Sequence, residues 1–218
     1  MQIAAFVFLF LIVMFIVLTA VQRRQIIEKY LVRPEFERKY SQFAAQSIAS
    51  GDIVFLGDSI TEAFHVNEMF PGLPIKNRGI SGDTTNGVLE RLHQITAGRP
   101  QKIFLMIGSN DLGFGYSEAH VIANYETILA RIRQESPDTE VYAHSILPRK
   151  KRYAGKITAV NTAIAALAQK YGAEFVDLFP EFADENGALR PEFTNDDLHL
   201  LDTGYALWQS LIAADVYE

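Results

Sequence analysis

From Gly51 onward, short apolar runs alternate with longer segments in which apolar residues recur at helical spacing. The runs are 53–56, 75–76, 103–107, 141–146 and 175–178. The segments between them include Val88, Leu92 and Ile95, which share one face of a helix. Strands and helices in alternation are joined by right-handed crossovers, so the strands run parallel. The sequence therefore predicts an α/β domain with helices on both faces of a parallel sheet.

Polar motifs follow the apolar runs at the points where the predicted strands end. They are GDSIT at 57–61, NRGISGDTT at 77–85 and GSND at 108–111. In open parallel sheets, ligand sites form outside the carboxyl ends of the strands. We therefore expect the functional residues to lie in these loops.

The segment 3–21 is apolar throughout and carries no charge. As a helix it would match the roughly 30 Å hydrocarbon core of a bilayer, so it predicts a transmembrane anchor at 1–22. A secretory signal peptide is the alternative, but no Lys or Arg precedes the run. Arg23, Arg24, Lys29 and Arg33 follow it, which predicts a single-pass membrane protein with the remaining chain in the cytoplasm.

Residues 23–50 are predicted to form a helical connector, interrupted at Pro34, that packs on a domain at 51–218. The chain has a net charge of -6, distributed unevenly. There are 6 basic and 3 acidic residues up to Ser50, against 14 and 23 from Gly51 on. Because an acidic domain repels phosphates, we exclude nucleic acid as a partner.

Ser59 has two interpretations. Ser59-Ile60-Thr61-Glu62 fits a helix capping box, in which the serine hydroxyl accepts a backbone hydrogen bond. The same position, at a strand end and a helix start, also suits a nucleophile, since amide donors there stabilise an oxyanion. The nucleophile interpretation requires a base and further donors elsewhere in the chain.

Those groups are present. Asp196 precedes His199 by three residues, so its carboxylate can accept from Nδ1 of the imidazole and leave Nε2 for Ser59. Gly82 lacks a side chain that would keep a backbone N–H from a substrate oxygen, and the Asn110 amide can donate to the same oxygen. Taken singly, the glycine also fits a tight turn, and Asn110 fits an Asx-turn.

Together and in this order, Gly57-Asp58-Ser59, Gly82, Gly108-x-Asn110-Asp111 and Asp196-x-x-His199 resemble the motif blocks of the SGNH hydrolases, also called GDSL-type esterases and lipases. The resemblance covers about 51–216. It implies a flavodoxin-like three-layer α/β/α sandwich with a parallel sheet.

The resemblance also implies roles for single residues. Ser59 would be the nucleophile, His199 the base and Asp196 its orienting partner; Asp197 is a rival without the family's spacing. The Ser59 amide, the Gly82 amide and the Asn110 side chain would form the oxyanion hole.

The predicted function is a membrane-anchored serine esterase without cofactor or metal, acting on a lysophospholipid or a short-chain acyl ester. Removal of acetyl groups from carbohydrate is an alternative. An alternative of another class is a flavodoxin-like module that binds phosphate or nucleotide at the GDSIT turn without hydrolysis. His144, near a strand end, is a further candidate for lining the site.

Overall fold

The computed structural model describes residues 28–218, together with Phe6, Thr19, Gln22 and Ile26. The described residues contain one parallel sheet whose neighbouring strands follow the order β2-β1-β3-β4-β5. The strands are β1 (Ile53–Gly57), β2 (Ile75–Gly79), β3 (Lys102–Met106), β4 (Glu140–His144) and β5 (Glu174–Val176). This order is that of flavodoxin-like sheets, and the predicted parallel sheet is confirmed.

Helices connect and flank these strands. A π-helical turn, Glu28–Val32, leads into the first α-helix, and single 3₁₀ turns lie at Lys151–Tyr153 and Pro191–Phe193. The α-helices are α1 (Arg33–Ala44), α2 (Ser59–Glu62), α3 (Val66–Met69), α4 (Thr85–Arg91), α5 (His93–Thr96), α6 (Ser109–Gly113), α7 (Glu118–Glu135), α8 (Ala154–Tyr171), α9 (Phe179–Phe182) and α10 (Asp202–Tyr217).

The sheet separates two hydrophobic cores, because successive strand residues point to opposite faces. Val54 and Leu56 of β1 pack in the core covered by α4, α7 and α8. Phe55 packs in the other core, which α2, α3 and α10 cover. On that face Phe55 stacks on Phe104 at 4.8 Å, and Phe104 stacks on Tyr142 at 4.6 Å, so one aromatic row crosses three strands. The predicted three-layer arrangement is confirmed.

The prediction of a single-pass membrane protein is corrected by the helices that the structure describes. Within the described residues, none of the helices combines the length and the apolar surface needed to span a bilayer. The two longest, α7 and α8 with 18 residues each, bury one face against the sheet and leave polar residues on the other. The segment 3–21, on which the prediction rested, lies outside the described residues except for Phe6 and Thr19.

The connector helix α1 packs against the sheet domain. Pro34 lies in its first turn rather than interrupting it, where a missing N–H is tolerated. Phe36 is buried, and Arg33 forms an ion pair with Glu90 at 2.8 Å. These are the contacts expected of a connector that packs on the domain, while the boundary at 50/51 stays a prediction.

Arg91, the last residue of α4, is buried and joins the ends of two strands. Its Nη2 donates to the carbonyl oxygen of Gly57 at 3.0 Å and its Nη1 to that of Arg78 at 2.8 Å. Its Nε donates to the Asp83 carboxylate at 2.9 Å. The guanidinium therefore fixes the ends of β1 and β2 relative to the loop that carries Gly82 and Asp83.

We expect Arg91→Leu to lower the free energy of unfolding by about 3–5 kcal/mol, because the substitution leaves the Asp83 carboxylate buried without its partner. Urea denaturation followed by circular dichroism measures the loss. Arg38→Leu is the matched control: Arg38 pairs with Glu35 on an exposed surface, where substitution changes stability by no more than about 0.5 kcal/mol. Equal losses in the two variants would contradict the role given to Arg91.

Candidate active site

Ser59 is the first residue of α2 and follows β1 after a single intervening residue, Asp58. Asp58 is the residue that caps the helix, since its Oδ1 accepts from the Ile60 backbone N–H at 3.0 Å. The capping-box interpretation of Ser59 is therefore wrong. Glu62, its proposed partner in that box, instead accepts from the backbone N–H of Ser81 at 2.8 Å. The Ser59 hydroxyl is therefore not used in capping and can form hydrogen bonds with other side chains.

The structure brings Ser59, His199 and Asp196 together in one chain of contacts. Ser59 Oγ lies 3.0 Å from His199 Nε2, and His199 Nδ1 lies 2.7 Å from Asp196 Oδ2. The second carboxylate oxygen of Asp196 accepts the backbone N–H groups of Leu198 and His199, which holds the turn closed. Asp197 points elsewhere, with its Oδ2 3.7 Å from Lys150 Nζ.

The ionisation of Asp196 orients the imidazole. Burial acts to raise the pKa of this carboxyl, but hydrogen bonds from the ring and backbone of His199 outweigh it and lower the pKa to about 2. Asp196 is thus a carboxylate at neutral pH and accepts a hydrogen bond from the Nδ1–H group of the imidazole. In the neutral imidazole, Nε2 is then free to accept from the Ser59 hydroxyl.

Gly82 and Asn110 lie in neighbouring segments that follow β2 and β3. Gly82 follows β2 and has a positive φ of 77°, a conformation that favours glycine. The Asn110 side chain, at the start of α6, donates from Nδ2 to the Asp83 carbonyl oxygen at 3.0 Å. The Ile80 backbone N–H donates to the Gly57 carbonyl oxygen at 3.1 Å. These bonds join the segments that follow β1, β2 and β3 at the carboxyl ends of the strands.

His144 does not line the site. Its ring is buried between Phe104 and Trp208, at centroid distances of 5.7 and 5.8 Å. Burial lowers its pKa to about 3, so it stays neutral in the core. Within residues 28–218, no three His, Asp or Glu side chains lie close enough together to hold a metal ion.

The described geometry agrees with comparisons to known proteins. A model of the GDSL-like Lipase/Acylhydrolase family matches residues 55–207. The chain belongs to this family. It is an ester-hydrolysing enzyme, and the alternative of a phosphate- or nucleotide-binding module without hydrolysis is therefore wrong.

Individual relatives of this acylhydrolase cover most of its length. The platelet-activating factor acetylhydrolase IB subunit alpha1 of Pongo abelii is 31% identical over 165 residues, which is 71% of each protein. A Streptococcus pneumonia structure, provisionally described as a platelet activating factor, superposes with a TM-score of 0.80 at 32% identity and covers 90% of this chain and 99% of its own. A GDSL-like lipase from Bacteroides thetaiotaomicron VPI-5482 has a TM-score of 0.74 at 25% identity and covers 83% and 96%.

Sequence reasoning missed the buried acids that support this acylhydrolase site. Asp58 caps α2, Asp83 pairs with Arg91, and Asp111 accepts the backbone N–H of Thr85 at 3.0 Å and its hydroxyl at 2.5 Å. A signal was present, because each of the three polar motifs carries one acid: Asp58 directly after β1, Asp83 in the loop after β2 and Asp111 in α6, which follows β3. Burial raises the pKa of all three carboxyls, that of Asp58 to about 7.

We expect Asp58 to make the protein less stable as pH rises. A carboxyl in the unfolded chain has a pKa of about 3.9, so between that value and about 7 the folded state holds a proton that the unfolded state has lost. The free energy of unfolding therefore falls as pH rises across this interval. Asp58→Asn keeps an oxygen acceptor for Ile60 and removes the ionisation, so it should reduce the fall by an amount on the order of a few kcal/mol.

Urea denaturation at pH 5 and pH 8 measures this effect. Asp138→Asn, at an exposed position, is the matched control and should leave the pH dependence as in the unmodified protein. An Asp58→Asn variant with the original pH dependence would contradict the assignment.

Proposed function

We propose that this acylhydrolase is a serine esterase that cleaves short-chain acyl esters through an acyl-enzyme intermediate. Ser59 is the nucleophile, His199 the general base and then acid, and Asp196 the residue that orients the imidazole. The 3.0 Å approach of Ser59 Oγ to His199 Nε2, continued by the 2.7 Å contact of Nδ1 with Asp196, carries the proposal.

In the first step the Ser59 oxygen bonds to the ester carbonyl carbon, and its proton passes to His199 Nε2. The carbonyl oxygen gains the negative charge of a tetrahedral intermediate. As the carbon–oxygen bond to the alcohol breaks, His199 returns the proton to the departing oxygen. Water then repeats the sequence on the acyl-enzyme, with His199 taking a proton from water and giving it back to Ser59.

The negative oxygen would be stabilised by the backbone N–H groups of Ser59 and Gly82 and by the Asn110 side chain. Nδ2 of Asn110 has two hydrogens, so it can donate to the substrate while it keeps its bond to the Asp83 carbonyl. Each such donor in a serine hydrolase is worth about 100- to 1,000-fold in turnover. The hydrogen bonds that join the segments following β1, β2 and β3 support the assignment.

The choice of a short acyl group rests on the names of the relatives, and the range of alcohols rests on the exposure of the site. The curated relatives at about 30% identity are named acetylhydrolases, and acetyl is the shortest of these acyl groups. The side chains of His199 and Asp196 are also 45% and 46% exposed, which leaves the alcohol side open to groups of different size. Lysophospholipid and acetylated carbohydrate are the alternatives that a substrate series must separate from simple short-chain esters.

Ser59→Ala should abolish labelling by a fluorophosphonate probe and all ester turnover, because the variant has no oxygen to form the covalent bond. Gel detection of the labelled protein is the measurement. Ser210→Ala removes an exposed hydroxyl on α10 and should be labelled like the unmodified protein. Labelling of Ser59→Ala at the original rate would refute the proposed nucleophile.

A series of p-nitrophenyl esters with increasing acyl length, together with a lysophospholipid and an acetylated xylose, tests the substrate class. We expect the highest kcat/KM for acyl groups of roughly two to six carbons and a fall beyond them, since each group that does not fit a pocket is worth about 1–3 kcal/mol. A lysophospholipid turned over faster than every short ester would overturn the short-chain assignment. The acetylated xylose as best substrate would favour the carbohydrate alternative.

A further inference from the structure

Val32, from the segment before the family-matched residues, lies directly against Gly82. A Cβ atom placed on Gly82 would lie 3.2 Å from Val32 Cγ2 and 3.4 Å from Cγ1. Gly82 is the glycine assigned above to the oxyanion hole, and residues 55–207 are those that match the family model. The connector therefore reaches the edge of the catalytic site with an apolar side chain.

A cavity of about 220 Å³ continues from this contact, between the connector and the loop after α6. Its walls include four apolar or aromatic side chains, Val32, Phe36, Phe114 and Tyr116. The rest of the lining is polar or lies at the start of α4, and it consists of Arg33, Asp83, Thr84, Asn86, Gly87 and Glu90. Pockets for drug-sized ligands measure roughly 300–1,000 Å³, so this one suits a chain of a few carbons.

The cavity lies on the opposite side of the sheet from the loop that supplies His199. Its floor is the start of α4, which belongs to the core with α7 and α8. Leu198 and Leu200, on either side of His199, pack in the other core with α10. Because His199 must protonate the departing oxygen, the alcohol part of an ester lies on the His199 side. An acyl part that extends past Gly82 on the opposite side would reach this cavity.

We propose that the connector forms one wall of the acyl-binding cavity and that Val32 limits the length of the acyl chain that the enzyme accepts. This inference rests on the proposed serine esterase function and deepens it. It assigns a specificity-determining residue to a segment outside the part of the chain that matches the family.

The position of Val32 is held by contacts on the adjoining helix. Arg33 donates to both carboxylate oxygens of Glu90, at 2.8 and 3.0 Å, and the aromatic ring of Phe36 is buried close to Gly87. Lys39 pairs with Glu62 of α2 at 2.6 Å, which links the same helix to the element that carries Ser59. The helix that follows Val32 is thus fixed to the catalytic domain through Arg33, Phe36 and Lys39.

Two substitutions of Val32 should move chain-length preference in opposite directions. Val32→Ala removes two methyl groups and should raise the ratio of kcat/KM for octanoyl over acetyl esters by about tenfold. Val32→Phe fills the cavity and should lower the ratio of kcat/KM for hexanoyl over acetyl esters by about tenfold. The measurement is hydrolysis of p-nitrophenyl acetate, hexanoate and octanoate by the full-length protein.

Leu211→Ala is the matched control, because it shortens a partly exposed leucine on α10, away from the cavity, and should leave all ratios unchanged. Phe114→Ala enlarges the opposite wall and should shift the ratio as Val32→Ala does. The same shift from both walls would show that it comes from the cavity and not from a folding defect at position 32. Unchanged ratios in enzymes that turn over acetyl ester and label with fluorophosphonate would overturn the assignment of Val32 alone. Loss of labelling and turnover in the unmodified protein would instead refute the esterase proposal itself.

Discussion

One buried guanidinium joins the parts of the chain on which the site depends. Arg91 donates to the last carbonyl of β1, to a carbonyl near the end of β2 and to the Asp83 carboxylate. A charge is costly to bury unless its hydrogen-bonding groups are satisfied, so these partners hold the side chain in one position. The Arg91 side chain thereby holds the turn that carries Ser59 in a fixed position relative to the loop that carries Gly82. Asn110 extends the same arrangement to β3 through its bond to the Asp83 carbonyl.

Asp58 illustrates how the site separates two tasks that compete for one position. A helix that begins directly after a strand needs an acceptor for its first amides, and a serine hydroxyl could supply it. The structure assigns that task to Asp58, so the Ser59 hydroxyl can face His199. The cost is a carboxyl group buried at the carboxyl end of β1, where burial destabilises its ionised form. Functional sites commonly keep such locally unfavourable groups where the surrounding fold can support them.

The sequence predicted most reliably what depends on local pattern. Strands β1 and β3 were recognised because both faces are buried and every residue in them is shielded from solvent. Edge strand β2 was predicted only as 75–76, since its later residues are polar. Asn77 within it donates to the Thr61 and Phe64 carbonyls, at 2.7 and 2.9 Å, and thereby holds α2. Because strands are recognised from apolar residues, a polar strand residue such as Asn77, which binds a neighbouring helix, is not predicted as part of a strand.

In the site, too, a local relation could be predicted from the sequence, whereas the contacts of Arg91 with distant residues could not. The relation of Asp196 to His199 could be predicted because three residues of spacing place both groups in one turn. The capping role could not be assigned correctly, since Asp58 and Ser59 are adjacent and both residue types cap helices. Nothing in the sequence identified Arg91, because its partners lie 8, 13 and 34 residues away and only the folded sheet brings them together.

The connector adds a physical reason why chains with one catalytic arrangement can differ in substrate. The contacts among Ser59, His199 and Asp196 and the bonds that hold the loops all lie within the family-matched residues 55–207. The Val32 side chain lies against Gly82, the residue assigned to the oxyanion hole. A change in the connector can therefore alter the space offered to an acyl chain without moving a reacting atom. In the proposed arrangement the loops after the strands bind the carbonyl and the connector binds the acyl chain, so specificity is separable from chemistry.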